Sequence, residues 1–257
     1  MLCSSTFSGR AFVCRPCADR YREGPVPEDV LRTFYREVDV EYPEWANTYG
    51  NYNPPRALVS YLDQLDRSLD ILEVGSGGGY LLEDLWNRGF HNLTGSDITV
   101  TSMAEMNRRA IDVTVVGADA EALPFREGSF DVVISSDVIE HLPVVTSHLL
   151  DVRRVLRPGG RYLLKTPNRR PAELYYRLRG LYDYHIWHPS MSSPAEIVRL
   201  MRRFGFDVDF LPVDGLTAAQ LRKIPGGVLR SVAGRLPIGR LPVSLHPHLE
   251  LVATRNK

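Results

Sequence analysis

Three observations predict an α/β fold with a doubly wound, mostly parallel sheet. The run Ile71-Leu-Glu73-Val-Gly75-Ser-Gly77-Gly-Gly79 is a short apolar strand ending in clustered glycines, and Leu81, Leu82, Leu85 and Trp86 then fall at helical spacing over 80–88. Four more apolar strands follow, over 93–97, 113–118, 130–136 and 161–166, with helix or turn signals between them. Acids stand where these strands end, at Asp97, Asp119 and Asp137, the end of an open α/β sheet at which ligands bind.

The first strand and its turn say most about the ligand. Gly75, Gly77 and Gly79 let a ligand approach the backbone closely and permit positive φ. Their spacing is G-x-G-x-G, not the dinucleotide G-x-G-x-x-G, and no Gly-Lys-Ser/Thr follows for a triphosphate. Glu73 sits two residues before the first glycine. An acid there disfavours a pyrophosphate, and with it a nicotinamide dehydrogenase. It suits a ligand carrying an amine or positive charge, a description that S-adenosylmethionine fits.

The remaining elements follow in order. The second strand ends at Asp97, placed like the acids that accept hydrogen bonds from ribose hydroxyls. The third runs into Asp119-Ala120-Glu-Ala-Leu-Pro-Phe125, and the fourth into Ser136-Asp137-Val-Ile-Glu-His141. A helix rich in Leu, Val and Arg, the turn Arg157-Pro-Gly-Gly160 and the fifth strand come next. Residues 169–190 form an insertion carrying Tyr175, Tyr176, Tyr182, Tyr184 and Trp187 together with His185 and His188. Ser193, Pro194 and Glu196 spell a capping box for a helix that stops at Gly205. A sixth strand over 206–211, a Gly-, Pro- and Arg-rich stretch over 212–247 and a last strand over 248–255 complete the chain.

Taken in order, Glu73-x-Gly-x-Gly-x-Gly, Asp97, Asp119 before Leu-Pro-Phe, Asp131-Val-Val and Leu156-Arg-Pro-Gly-Gly resemble the class I S-adenosylmethionine-dependent methyltransferases. Within them the chain is similar to the small-molecule group that includes the ubiquinone-pathway O-methyltransferases, most clearly over 69–168. The resemblance implies a Rossmann-like sheet of seven strands whose last strand is antiparallel and at the edge, with S-adenosyl-L-methionine as cofactor. It implies that Glu73 engages the methionine amino group, that Gly75, Gly77 and Gly79 admit methionine and ribose, and that Asp97 binds the ribose diol. Asp119 would accept from the adenine amino group, Ala120 would set its backbone beside the ring, and Ser136 and Asp137 would border the methionyl end. Transfer to a hydroxyl needs a proton acceptor, and histidine titrates in the right range. His141 is the first candidate, with His185 and His188 as alternatives.

The expected activity is methylation of a small-molecule acceptor at oxygen. The alternatives are transfer to carbon or nitrogen of a metabolite, or a cofactor-binding protein of this fold without catalysis. Ser135-Ser-Asp stands where base methylases carry N/D-P-P-Y/F, which counts against a nucleic-acid substrate. So does composition: Lys+Arg and Asp+Glu are 31 each, so no global positive field draws nucleic acid. No apolar run is long enough for a membrane span, and a cytoplasmic protein is expected. The paired arginines at 153–154, 169–170 and 202–203 read as solvated faces.

Residues 1–26 are expected to be a poorly ordered segment containing Cys14-Arg-Pro-Cys17, half a zinc set with no second pair, so no metal is expected. Residues 27–257 then form one domain. Within it, 27–68 supplies N-terminal helices and, by resemblance, a lid over the cofactor bearing Trp45, Tyr49 and Tyr52.

Overall fold

The computed structural model describes residues 15–20, 26–29, 31, 55–99, 104–109, 111–213, 215–222, 224 and 226–257. The proposed lid aromatics Trp45, Tyr49 and Tyr52, and Cys3 and Cys14, lie outside the described residues. In chain order the elements are α1 (Arg15–Arg20), α2 (Arg56–Leu62), β1 (Ile71–Val74), α3 (Tyr80–Asn87), β2 (Leu93–Asp97), β3 (Thr114–Gly117) and β4 (Phe130–Ser136). Then come α4 (Val145–Val155), β5 (Leu156–Pro167), α5 (Arg169–Arg179), α6 (Tyr184–Trp187), α7 (Pro194–Arg203), β6 (Phe206–Phe210), α8 (Ala218–Arg222), α9 (Gly227–Gly234) and β7 (His248–Arg255).

The strands form one seven-stranded sheet in the order β3-β2-β1-β4-β5-β7-β6. β1 through β5 pair in parallel, and β7 runs antiparallel to both β5 and β6. The expected antiparallel strand is therefore present, but it stands one place in from the edge. Its sequence explains why. Leu249 to Ala253 are all buried, which suits a strand with a neighbour on each side. β6 alternates, with Asp207 and Asp209 exposed, and charged side chains of this kind blunt an open edge.

Alternation along the central strands divides the core between the two faces of the sheet. Leu72, Val74, Val133 and Leu164 pack with Leu149, Val152, Ile197 and Met201 on one face, under α4 and α7. Ile71, Val132, Ile134 and Leu163 pack with Leu58, Leu62, Leu82 and Leu85 on the other, under α2 and α3. The capping box forms as read: the Ser193 N–H donates to Glu196 Oε2 at 2.9 Å, with Pro194 opening α7.

Two further sequence readings change. The Arg157-Pro-Gly-Gly160 turn is the start of β5, which pairs with β4 across a register shift between Phe130 and Val132. Arg157 bridges Asp131 Oδ2 at 2.6 Å and Asp70 Oδ2 at 2.9 Å. This clip lies where β4 and β5 begin, at the opposite end of the sheet from the candidate site. Nor are Arg153 and Arg154 merely solvated. Arg154 donates to the carbonyls of Phe125 and Leu123 at 2.5 and 2.8 Å, and Arg153 donates to Gly205 O at 3.1 Å.

Candidate functional site

The glycine turn after β1 is held by β2. Gly75 and Ser76 donate their N–H groups to Ser96 O at 2.8 and 3.0 Å, and the Gly77 N–H donates to Asp97 Oδ2 at 2.8 Å. Asp97 Oδ1 accepts from Thr99 N and Oγ1 at 2.9 and 2.8 Å. A carboxylate has about four acceptor sites, so these bonds orient Asp97 without exhausting it for a ribose diol. Gly77 has φ +50°, and a Cβ added there would meet nothing within 4 Å. Gly79 caps α3 at φ +77°, where a Cβ would strike Met106 Cγ at 2.6 Å. Beneath the loop, Arg109 donates to Gly78 O, pairs with Glu83 and stacks 3.9 Å over Tyr80.

Glu73 is buried, and its Oε2 has no hydrogen-bond partner. Burial, followed by the Asp97 charge, pushes its carboxyl well above the ordinary range. An orphaned buried acceptor costs ~1–3 kcal/mol, and an ammonium beside it would remove that penalty. The orphaned oxygen and the open space over Gly77 fit the methionyl end of S-adenosylmethionine. Further along the sheet, Asp119 Oδ1 accepts from Glu121 N at 2.9 Å. The Ala120 carbonyl accepts from His148 Nδ1 at 2.8 Å. Asp119 and Ala120 thus form a braced turn beyond β3, where an adenine ring could be met by backbone and carboxylate.

Side chains rather than backbone organise the other half. Ser136 Oγ lies 3.4 Å from Asp137 Oδ2, and Asp137 has φ 57°, the one non-glycine positive φ among the described residues. Asp137 pairs with Lys165 of β5. Burial opposes its charge, yet Lys165 and His248 outweigh that and hold the carboxyl below its ordinary value. Lys165 in turn is surrounded by acids: Asp137 foremost, then Glu250 and Glu140, which hold its ammonium charged despite burial. Glu250 Oε2 accepts from Leu58 N at 3.1 Å, tying α2 to β7. Glu140 is almost fully buried and accepts from Thr166 Oγ1 at 2.9 Å; burial, then the Asp137 charge, pushes its carboxyl up to about 8.

His141 follows Glu140 in a short 3-10 turn over Ile139–His141. Its Nδ1 lies 2.7 Å from Trp187 O, and its Nε2 lies 4.0 Å from Glu140 Oε1. A carbonyl only accepts, so that contact puts the ring proton on Nδ1 and the lone pair on Nε2. Burial lowers the imidazole pKa below 6.5, against smaller upward pulls from Trp187 and Asp137. His188 packs on it with ring centroids 4.7 Å apart, and its own Nδ1 bonds to Tyr176 OH at 3.1 Å. His185 turns elsewhere: its Nε2 bonds at 2.9 Å to the carbonyl of Ala18, a buried residue of α1. Of the three expected histidines, two come together and one does not.

Lys165, Glu140, Glu250 and His148 are missing from the sequence-based site. Lys165 had a signal, a cation inside the apolar strand Leu163-Leu-Lys-Thr166. His148 had none, since it occupies a helix face. There it is fully buried, with Nε2 2.9 Å from Tyr162 OH, which lies 2.5 Å from Ser135 Oγ.

A family model described as a methyltransferase domain matches residues 72–164. The ubiquinone biosynthesis O-methyltransferase of Cereibacter sphaeroides is 30% identical over 202 residues, 66% of this chain and 79% of that protein. The enzyme of the same name from Pseudomonas aeruginosa is 31% identical over 172 residues, 60% of this chain and 70% of that protein. Among solved structures, the Burkholderia thailandensis 1,6-didemethyltoxoflavin-N1-methyltransferase, with S-adenosylhomocysteine bound, superposes with a TM-score of 0.59. At 16% identity, over 90% of this chain and 92% of that one, this likeness concerns the fold. Sheet order, glycine turn and relatives agree: the chain belongs to the S-adenosylmethionine-dependent methyltransferases. It is an enzyme of that class, with S-adenosylmethionine as cofactor.

Proposed function

We propose that the chain methylates a hydroxyl of a small-molecule acceptor, with His141 as the base. The observation that carries the reading is the orientation of His141. With the proton held on Nδ1 by the Trp187 carbonyl at 2.7 Å, Nε2 is the basic nitrogen, and burial keeps the ring neutral near pH 7. Asp137, held ionised by Lys165, favours the imidazolium once the proton arrives. The O-methyltransferase names of the curated relatives support the same choice.

The cofactor supplies an already electrophilic methyl group. The chain's task is therefore to hold methyl and nucleophile in line, an effect worth up to ~7–11 kcal/mol. In this reading Glu73 takes the methionine ammonium, Gly75, Gly77 and Gly79 line its path, and Asp97 takes the ribose diol. Asp119 and Ala120 meet the adenine, and Ser136 and Asp137 border the methionyl end. His188 and the aromatic insertion cover the acceptor, which is neither DNA nor RNA, and the enzyme works in the cytoplasm.

Incubation with methyl-labelled S-adenosylmethionine and a metabolite extract, followed by identification of the labelled product, tests the proposal. A methyl ether is expected. A labelled amine or C-methyl product would overturn oxygen as the target, and no labelled product would overturn catalysis.

A further inference from the structure

Large apolar side chains exposed singly are ordinary on a protein surface, but a cluster of them is not. Eight large hydrophobics are exposed among the described residues, and seven gather in two neighbouring segments. Leu229 (62% exposed), Val232, Leu236, Leu241 and Leu245 lie on and after α9; Leu174 and Leu178 (78% exposed) lie one turn apart on α5. The segments adjoin, since α5 packs against the short turn at Val243–Leu245.

Charge sets this surface apart from the rest of the chain. The whole protein is balanced at 31 cations and 31 anions. Yet on this surface Arg222, Arg230, Arg235 and Arg240 are exposed, and 215–249 contains not one Asp or Glu. Helix α5 adds exposed Arg170, Arg177 and Arg179 against the single acid Glu173. The patch is also fixed relative to the site. Asn168, directly after β5, donates through Nδ2 to the carbonyls of Val243, Ser244 and His246 at 3.1, 3.1 and 2.8 Å. That anchor seats the segment at the carboxyl end of β5, the end that carries Lys165 and Thr166.

We infer that this face docks on an anionic lipid surface, with the leucines entering the headgroup boundary and the arginines meeting lipid phosphates. Interleaved leucine and arginine is the pattern of an interfacial segment. A second copy of the chain is a poorer occupant, because two predominantly basic faces repel. Nucleic acid would use the arginines but leave the leucines in water.

The test is flotation of the full chain with vesicles of phosphatidylglycerol and phosphatidylcholine, and with phosphatidylcholine alone, across salt concentrations. Binding to the anionic vesicles that weakens with salt is expected. The double variant Leu229→Ser, Leu236→Ser should weaken it about 10-fold or more. Arg230→Gln with Arg235→Gln should weaken it about 10- to 30-fold. All these residues are exposed, and unchanged S-adenosylhomocysteine affinity would confirm that the variants fold. The inference is overturned if no vesicle binds, if the variants bind as wild type does, or if both variants lose binding to a DNA duplex while vesicles stay unbound. A dimer broken by the leucine variant, without vesicle binding, would also overturn it. None of these readouts depends on which atom the enzyme methylates.

Discussion

At the ends of β2 and β3 the two acids proposed to meet the ribose and the adenine are held by backbone. Asp97 is pinned by the Gly77 and Thr99 N–H groups, and Asp119 by that of Glu121. At the ends of β4 and β5, where β7 begins, side chains pair with one another, Asp137 with Lys165 and Glu140 with Thr166, and His141, oriented by the Trp187 carbonyl, packs on His188. A turn built on backbone bonds tolerates many neighbours, which suits a binding site used with one unvarying cofactor. A cluster of buried side chains has charges set by its members together. That suits the proton transfer proposed for His141.

The sharpest way to break this contrast is His141→Ala. Turnover should fall about 10²- to 10⁴-fold with cofactor affinity held, as for a lost general base. Steady-state kinetics with the identified acceptor would measure it. In the wild type, kcat should lose its activity only as pH drops below 6.5, because the His141 pKa is lowered from that value. Normal turnover in His141→Ala and in both His188→Ala and His185→Ala would mean that positioning alone drives transfer.

His148 joins the two halves, spanning Ala120 on one side and the Tyr162–Ser135 pair on the other. Burial pushes its pKa down to about 4 from 6.5. Between those values the unfolded chain takes up the proton and the folded one does not, so stability rises with pH across that window. The integrated effect is roughly 3 kcal/mol. Glu140 slopes the other way: its folded value of about 8 against 4.5 means stability falls as pH rises between them. Denaturant unfolding of wild type and His148→Gln from pH 4 to 6.5 should differ by a term that rises with pH. Parallel curves would show that the buried imidazole is not held neutral.

On the cofactor side the expected effects are somewhat smaller. Asp97→Ala should weaken cofactor binding by about 1.5–3 kcal/mol, the worth of hydrogen bonds to a charged acceptor. Gly77→Val should cost at least as much, filling open space at a positive φ. Gly79→Val should instead show first as a loss of thermal stability, because its side chain runs into Met106. Smallest is a proton count. The Glu73 carboxyl is raised well above its ordinary value, so an ammonium arriving beside it should expel the proton. Calorimetry of S-adenosylhomocysteine binding in buffers of different ionisation enthalpy should register that release, and Glu73→Gln should abolish it.

The backbone-built half was legible in the sequence because its signals are local. Glycines two apart, an acid at a strand's end and an apolar run within 71–79 or 93–97 announce themselves without knowledge of the fold. The side-chain cluster was legible only in part. His141 stood beside a motif, but its partners Trp187 and His188 come from the insertion, and Lys165 and Glu250 come from two later strands. The place of β7 between β5 and β6 brings Glu250 to Lys165, and no short pattern encodes that insertion. Asp131 and Arg157 teach the converse: they belong to the motifs that mark the family, yet they clip the far end of the sheet.

The most direct test of this division of labour is one calorimetric series, S-adenosylhomocysteine titrated into wild type, Asp97→Ala and His141→Ala. Wild type and His141→Ala should bind alike, and Asp97→Ala should bind about 10- to 100-fold more weakly, as the loss of charged hydrogen bonds predicts. Equal affinity in a folded Asp97→Ala, or a comparable loss in His141→Ala, would contradict it.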